Sequence, residues 1–151
     1  MRFKIKVGDF EVEQDLKETL EIDASSPEAL ANQLTKIPSV FYYFVSLGEQ
    51  VAKIKEKYTF EFEKWYAEKY ENEKRNLIEE LGKTMVNESL VKYTIITNYT
   101  KEYEKWKKTL VYLEEKQNTL NSIKVAILRK HEALINLLAY YKRMVEGRTS
   151  E

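Results

Sequence analysis

Two long stretches of this chain carry apolar residues at steps of three and four, and this spacing constrains the fold most. The first runs from about residue 39 to 81 and the second from about residue 100 to 146. Apolar residues at that spacing form one face of an α-helix. Only four glycines and two prolines occur among 151 residues, which favours long helices over a loop-rich β fold. We predict a mainly α fold built on a long-helix hairpin, with short connecting helices.

The N-terminal segment from Arg2 to Asp15 alternates between apolar and charged residues and predicts a β-hairpin. Gly8-Asp9 suits a two-residue turn, because glycine readily adopts the positive φ that such turns require. The opposed pairs in this register are Val7 with Phe10, Lys6 with Glu11, Ile5 with Val12 and Lys4 with Glu13. Residues 15–23 fit either a third strand or a short turn. We predict a hairpin with its connector over residues 1–24 and a helical domain over residues 25–151.

Capping residues predict where the helices begin and end. A serine cap and a first-turn proline in Ser25-Ser26-Pro27-Glu28 start a helix, which we expect to end before Ile37-Pro38. The first long helix is then expected from about Ser39 to Leu81, where Gly82 ends it. Asn87 is predicted to cap a short helix from Glu88 to about Thr97.

Composition excludes several classes of protein. The chain has no cysteine, so disulfides and thiolate zinc sites are excluded. No apolar run approaches the roughly 20 residues that span a bilayer, and the N-terminal residues do not resemble a signal peptide. We therefore expect a cytoplasmic protein with no membrane partner.

No residue pattern predicts catalysis. The segment Gly82-Lys83-Thr84 lacks the earlier glycine of a phosphate-binding loop, because Leu77 occupies that position, so we interpret the segment as a helix stop. His131 is the only histidine and interrupts the apolar stripe of the last helix. We expect no enzyme, no catalytic residue, no metal site and no cofactor.

An excess of aromatic residues between Phe41 and Tyr70 predicts contact with a partner. Ten of the nineteen aromatic residues lie there, more than one helix needs to bury a face. Tyr66, Lys69, Tyr70 and Lys74 share a helix face with little acid in reach, which suits stacked bases and phosphates of single-stranded DNA. The alternative is a solvated helix end whose tyrosines pack on the last helix. The predicted DNA-binding residues are Lys64, Tyr66, Lys69, Tyr70, Lys74, Arg75 and Lys83.

The last helix predicts an oligomer. It carries a near-3.5 repeat for its hairpin mate and a second apolar set that favours contact with another subunit. Because the 25 basic and 25 acidic residues cancel, assembly is also the expected route to a usable basic surface. The predicted interface residues are Leu120, Ile127, Leu134, Leu138 and Tyr141.

Over about residues 27–146, the layout resembles the UvsY-type recombination mediators of tailed phages. The matching elements are residues 37–44 opening a long basic and aromatic helix, Gly82-Lys83-Thr84, the capped helix at Asn87-Glu88, and Leu128-Arg129-Lys130 with Leu134 in a long closing helix. The resemblance implies a mainly helical fold, ring assembly, single-stranded DNA binding and help to a RecA-like recombinase in displacing single-strand binding protein. It also implies DNA contacts late in the first long helix, where the matching basic residues are Lys64, Lys69, Lys74 and Arg75.

The sequence therefore leaves two alternative functions open. The first is a phage recombination mediator for DNA recombination and repair, placed in the host cytoplasm if the protein is phage-encoded. The second is a non-enzymatic helical structural or assembly protein of a phage, in which all aromatic residues serve the core and the interfaces.

Overall fold

A computed structural model describes residues 1–149. Its elements in chain order are β1 (Arg2–Val7), β2 (Phe10–Asp15), α1 (Lys17–Leu20), α2 (Pro27–Leu81), a 3-10 turn (Lys83–Met85), α3 (Glu88–Asn98) and α4 (Thr100–Thr149). The chain is mainly helical behind an N-terminal antiparallel hairpin, which confirms the predicted fold class. No helix in the described range is long and apolar enough to cross a membrane.

The hairpin forms in the predicted register. Strands β1 and β2 pair antiparallel with Lys4 opposite Glu13 and Ile5 opposite Val12. Gly8 has a φ of 57° in the turn, a conformation that glycine adopts without a Cβ penalty. The side chain of Ile5 is buried, whereas those of Lys4 and Glu13 are exposed, so the hairpin buries one face.

The segment after the hairpin is a single helical turn, α1, rather than a third strand. The Asp15 carboxylate accepts a hydrogen bond from the Lys17 N–H at 2.9 Å, which directs the chain into this turn. Leu16 is buried beside it. The short turn was one of the two possibilities that the sequence left open.

Helix α2 begins as predicted but does not end before Pro38. The Ser26 hydroxyl accepts a hydrogen bond from the Ala29 N–H at 3.1 Å, and the helix then continues unbroken from Pro27 to Leu81. A proline inside a helix costs about 3 kcal/mol. Pro38 is exposed, while Ile37 before it and Phe44, six residues later, are buried. Burying each such side chain contributes about 1.5–3 kcal/mol, which offsets the proline.

The chain divides into two compact units, each with part of both long helices. One contains Met1–Glu49 and α4 from Lys116 onward, and the other contains Gln50–Glu115. We call the first the aliphatic unit. We call the second the aromatic unit because it contains, besides the buried aliphatic residues Val51, Val91, Ile95 and Leu113, a cluster of aromatic rings. The hairpin predicted as a separate region over residues 1–24 lies within the aliphatic unit.

Buried side chains from β1, α2 and α4 form the core of the aliphatic unit. Two polar contacts join further segments to it: Gln14 Nε2 donates to the Tyr43 hydroxyl at 2.9 Å, and the Tyr141 hydroxyl donates to the carbonyl of Ala24 at 3.2 Å. The buried apolar residues are Phe3, Ile5, Leu16, Leu30, Ile37, Phe44, Leu47, Leu120, Ile123, Ile127 and Leu134.

In the aromatic unit, the connection between the long helices follows the predicted capping signals. Gly82 has a φ of 85° and its N–H donates to the Ile78 carbonyl at 2.9 Å, which ends α2. This confirms that residues 82–84 stop the helix and turn the chain. The Asn87 side chain accepts a hydrogen bond from the Leu90 N–H at 2.8 Å and caps α3, as predicted.

Candidate nucleic-acid interface

Aromatic rings from α2 and α4 form one connected cluster in the aromatic unit. Phe62 lies at its centre, with ring centroids 6.1 Å from Trp65 and Tyr66, 5.9 Å from Tyr103 and 6.2 Å from Trp106. Ring pairs at such distances contribute about 0.5–1.5 kcal/mol each beyond their burial. The cluster extends through neighbouring ring contacts to Tyr58, Tyr70 and Tyr99.

The rings of this cluster stay partly open to solvent. All eight are half-buried, and Glu73 is the one buried residue within residues 52–90. Trp65 Nε1 still finds a partner, the Glu102 carboxylate at 2.9 Å. The cluster therefore joins the two helices and also leaves aromatic surface for a further contact.

Three lysine side chains lie over these rings. Lys69 Nζ lies 4.5 Å from the centroid of Tyr99, and Lys107 Nζ lies 4.8 Å from that of Phe62. Lys74 Nζ lies 5.9 Å from the centroid of Tyr70. Distances within about 6 Å are typical of cation–π contacts. Among the described side chains, none of these three ammonium groups has a carboxylate oxygen within 4.0 Å.

The structure brings together only part of the predicted DNA-binding set. Tyr66, Lys69, Tyr70 and Lys74 lie in or over the ring cluster. The other predicted residues are exposed, and no ring contact is recorded for them; they are Lys64, Arg75 and Lys83.

Two i,i+4 ion pairs that helical spacing would allow on α2 do not form. Within the described chain, Lys64 has no carboxylate within 4.0 Å at Glu68, and Glu71 has no such contact with Arg75. The pair that does form on α2 is Lys57 with Glu61, at 4.0 Å. The basic side chains of Lys64 and Arg75 are thus not neutralised by these neighbours.

The expectation that little acid lies near the tyrosine face is wrong, because Glu73 lies on it. Glu73 follows Tyr66 by seven residues and Tyr70 by three, a spacing that places it on the same helix face. It is 8% exposed and accepts hydrogen bonds from the Tyr99 hydroxyl at 3.1 Å and from Asn98 Nδ2 at 3.4 Å. The carboxylate therefore fastens α2 to the turn between α3 and α4.

Two tyrosines of the cluster have pKa values above their usual range. Burial is the main cause for Tyr66, whose pKa the neighbouring Tyr103 raises further. Burial also raises the pKa of Tyr99, together with its hydrogen bond to Glu73. Both rings therefore stay neutral at physiological pH and present uncharged stacking faces.

The sequence interpretation missed the contribution of α4 to this face. Lys107 lies over Phe62 and, at 5.5 Å, over Tyr103. The spacing of four residues between Tyr103 and Lys107 puts them on one helix face and was a usable signal. Their pairing with a ring of α2 has no signal in the sequence.

The predicted subunit interface needs a correction. Leu120, Ile127 and Leu134 have no exposed surface and belong to the core of a single chain. Leu138 and Tyr141 are half-buried. Exposed apolar side chains of α4 lie at other positions on the helix. They include four that are each about half exposed: Val111, Val125, Leu128 and Ile135.

Comparison with known proteins gives no relative. No protein-family model, curated protein or solved structure matches this chain. The resemblance to UvsY-type mediators therefore stays a prediction based on layout, and the functional proposal depends on the geometry of the rings and lysines.

Proposed function

We propose that this protein binds single-stranded DNA on the ring and lysine face of the aromatic unit. The observation that carries the proposal is the set of lysine ammonium groups over half-buried rings, at Lys69, Lys74 and Lys107, which have no carboxylate partner among the described side chains. Bases of a single strand can stack on such rings while its phosphates meet the cations. A duplex keeps its bases stacked inside, so single strands are the preferred ligand.

The proposed role is that of a non-enzymatic recombination mediator. Its partners are a RecA-like recombinase and single-strand binding protein, and its place of action is the cytoplasm, of the host if a phage encodes it. A homo-oligomer, in the form of a ring, suits this role because the net charge of one chain is zero. Repeating a weak site in an assembly multiplies its contacts with one strand.

A second candidate function is structural assembly, and the ring contacts favour it. Each ring of the cluster already packs on at least one other ring of the same chain. A protein surface could cover their remaining exposed area as well as bases could. In that case the aromatic unit is a protein-protein contact of a phage assembly component.

Fluorescence anisotropy with a labelled oligo-dT separates the two functions. We expect binding at about 50 mM salt and strong weakening at about 200 mM, because each neutralised phosphate of a single strand contributes about −0.7 to the log–log salt slope. A duplex of the same length should bind more weakly. If the chain binds no single strand even at the lower salt, the assembly function replaces the mediator.

The mediator role needs its own measurement. Filament formation by a RecA-like recombinase on strands coated with single-strand binding protein should speed up when the protein is added. DNA binding without that acceleration would leave a single-strand binder that is not a mediator.

A further inference from the structure

A cavity in the aliphatic unit has three lysines in its lining, together with acidic and apolar residues. About 410 Å³ in volume, it lies beside α1 and is bounded by α2 and α4. Ile37 and Val40 form an apolar part of its wall, and Lys17, Lys36 and Lys130 supply cations. The DNA-binding proposal uses none of these residues.

Lys130 is the unusual group in this cavity. The residue is 7% exposed, although lysine is almost never fully buried without a partner. Its Nζ donates one hydrogen bond, to the carbonyl oxygen of Glu18 at 2.8 Å. An ammonium group carries three donors, and no carboxylate among the described side chains lies within 4.0 Å of this one.

The surroundings disfavour the charge of Lys130. Burial lowers the pKa of Lys130, the Glu18 carboxylate partly opposes that effect, and the positive charge of Lys36 lowers the pKa further. An anion placed between the two lysines would relieve both the burial cost and the repulsion.

We propose that this cavity binds a small anionic group, a phosphate or a carboxylate, between Lys130 and Lys36. Lys130 provides the buried donor with free hydrogens, and Lys36 provides the second cation at the exposed side. Charge-assisted hydrogen bonds from ammonium to oxyanion are about twice as strong as neutral ones, which suits a site of this size. The proposal does not depend on DNA binding by the aromatic unit.

The acidic residues of the cavity limit the negative charge that a ligand can carry. Glu18, Glu21 and Asp23 also line it, and all three are exposed. The Asp23 carboxylate is engaged by the Ser25 N–H at 2.9 Å. Carboxylates around the cavity repel a polyphosphate or a nucleic-acid backbone, so the ligand is a small molecule with a single anionic group.

A purely structural role for Lys130 makes a different prediction. Its bond to the Glu18 carbonyl joins α1 to α4 and would stabilise the fold without any ligand. In that case the chain binds neither phosphate nor acetate saturably.

Titration calorimetry of the full chain with inorganic phosphate and with acetate, at constant ionic strength set by sodium chloride, tests the site. We expect saturable binding of at least one anion, and the stronger of the two identifies the chemistry. Lys36→Gln should weaken binding about tenfold or more, since one charge-assisted contact is lost. Lys130→Met should abolish it.

The control is Lys142→Gln, which removes an exposed lysine of α4 outside the cavity and should bind like the parent. If Lys130→Met fails to fold by circular dichroism, the exposed position of Lys36 still decides the test. The proposal is overturned if neither anion binds the parent saturably, or if Lys36→Gln and Lys142→Gln have the same affinity as the parent.

Discussion

The aliphatic and aromatic units use the same two helices and both bury aliphatic side chains, but the aromatic unit adds a cluster of half-buried rings between α2 and α4. In the aliphatic unit, buried leucine and isoleucine residues of α2 and α4 form the core together with Phe3 and Ile5 of the hairpin. In the aromatic unit, rings of α2 and α4 meet while remaining half-buried. Large rings can join two helices at their edges and keep a face in solvent, which aliphatic side chains do poorly. The aliphatic unit thus encloses its core, whereas the aromatic unit also leaves ring surface exposed, and the proposed DNA binding depends on that surface.

The two units also differ in the sign of the charged side chain that each one buries. The aliphatic unit buries a cation, Lys130, against a backbone carbonyl, and the aromatic unit buries an anion, Glu73, against a hydroxyl and an amide. Glu73 accepts hydrogen bonds from neutral donors. In the described part of the chain, no ion pair forms between this carboxylate and Lys69, four residues before it on α2, and the Lys69 ammonium group lies over the Tyr99 ring.

The largest expected effect is a difference between the two units in the free energy of unfolding that a truncated side chain costs. Ile127→Ala in the aliphatic core should lower the free energy of unfolding by about 2–5 kcal/mol, because it leaves a cavity among buried neighbours. Tyr70→Ala should cost clearly less, since its ring is half-buried at the edge of the cluster. Urea unfolding followed by circular dichroism measures both. Equal losses would remove the distinction between the two units.

The next effect tests stacking in the aromatic unit. Tyr70→Ala should weaken oligo-dT binding by about 1–3 kcal/mol with little change in salt slope, because it removes a ring and no charge. Tyr70→Phe keeps the ring and should bind like the parent. Anisotropy titrations at several salt concentrations report both quantities. Parent-like binding by the alanine variant would make Tyr70 a packing residue only.

The lysines of the ring face should determine how steeply DNA affinity falls with salt concentration. Lys69→Ala combined with Lys74→Ala should flatten the log–log slope by about 0.7 for each lost phosphate contact, with the oligomer size and helicity unchanged. The matched control is Lys142→Ala with Arg143→Ala, two exposed basic residues of the aliphatic unit. If the control flattens the slope and the ring-face variant does not, the DNA site belongs to the aliphatic unit.

The smallest expected effect is on how the melting temperature changes at alkaline pH. The pKa of Tyr66 is raised on folding, so its contribution to stability is present below the usual value of 10.0 and is lost as pH rises through the folded pKa. The pKa of Lys130 is lowered, so its burial penalty is relieved as pH rises towards 10.5. Between about pH 9 and about pH 11, Tyr66→Phe should lose less melting temperature than the parent, and Lys130→Met should lose more. Identical curves would contradict both assignments.

Local signals predicted much of the fold. The turn at Gly8, the serine cap at Ser26, the stop at Gly82 and the cap at Asn87 each depend on residues within about four positions of one another, and each formed as expected. The same locality explains the error at Pro38. The proline signal is local, whereas the packing that carries α2 through it comes from distant parts of the chain.

The candidate site was predictable only on the α2 side. Helical spacing alone put Tyr66, Lys69 and Tyr70 on one face, and it would also have put Glu73 there. It could not show that Lys107 lies over Phe62, because contacts between helices depend on how α2 and α4 are rotated against each other within the unit. The burial of Leu120, Ile127 and Leu134 inside one chain was hidden for the same reason.

The sequence by itself therefore determined the hairpin register, the caps and the helical faces, since these arise from turns and from contacts one or two helical turns apart. Tertiary structure alone decided which apolar face of α4 is buried in the core and which rings have a lysine side chain over them. It also decided that Lys130 meets the carbonyl of Glu18, 112 residues away in the chain. Such contacts form only when packing has excluded water and fixed the rotation of each helix, and no short stretch of sequence contains that information.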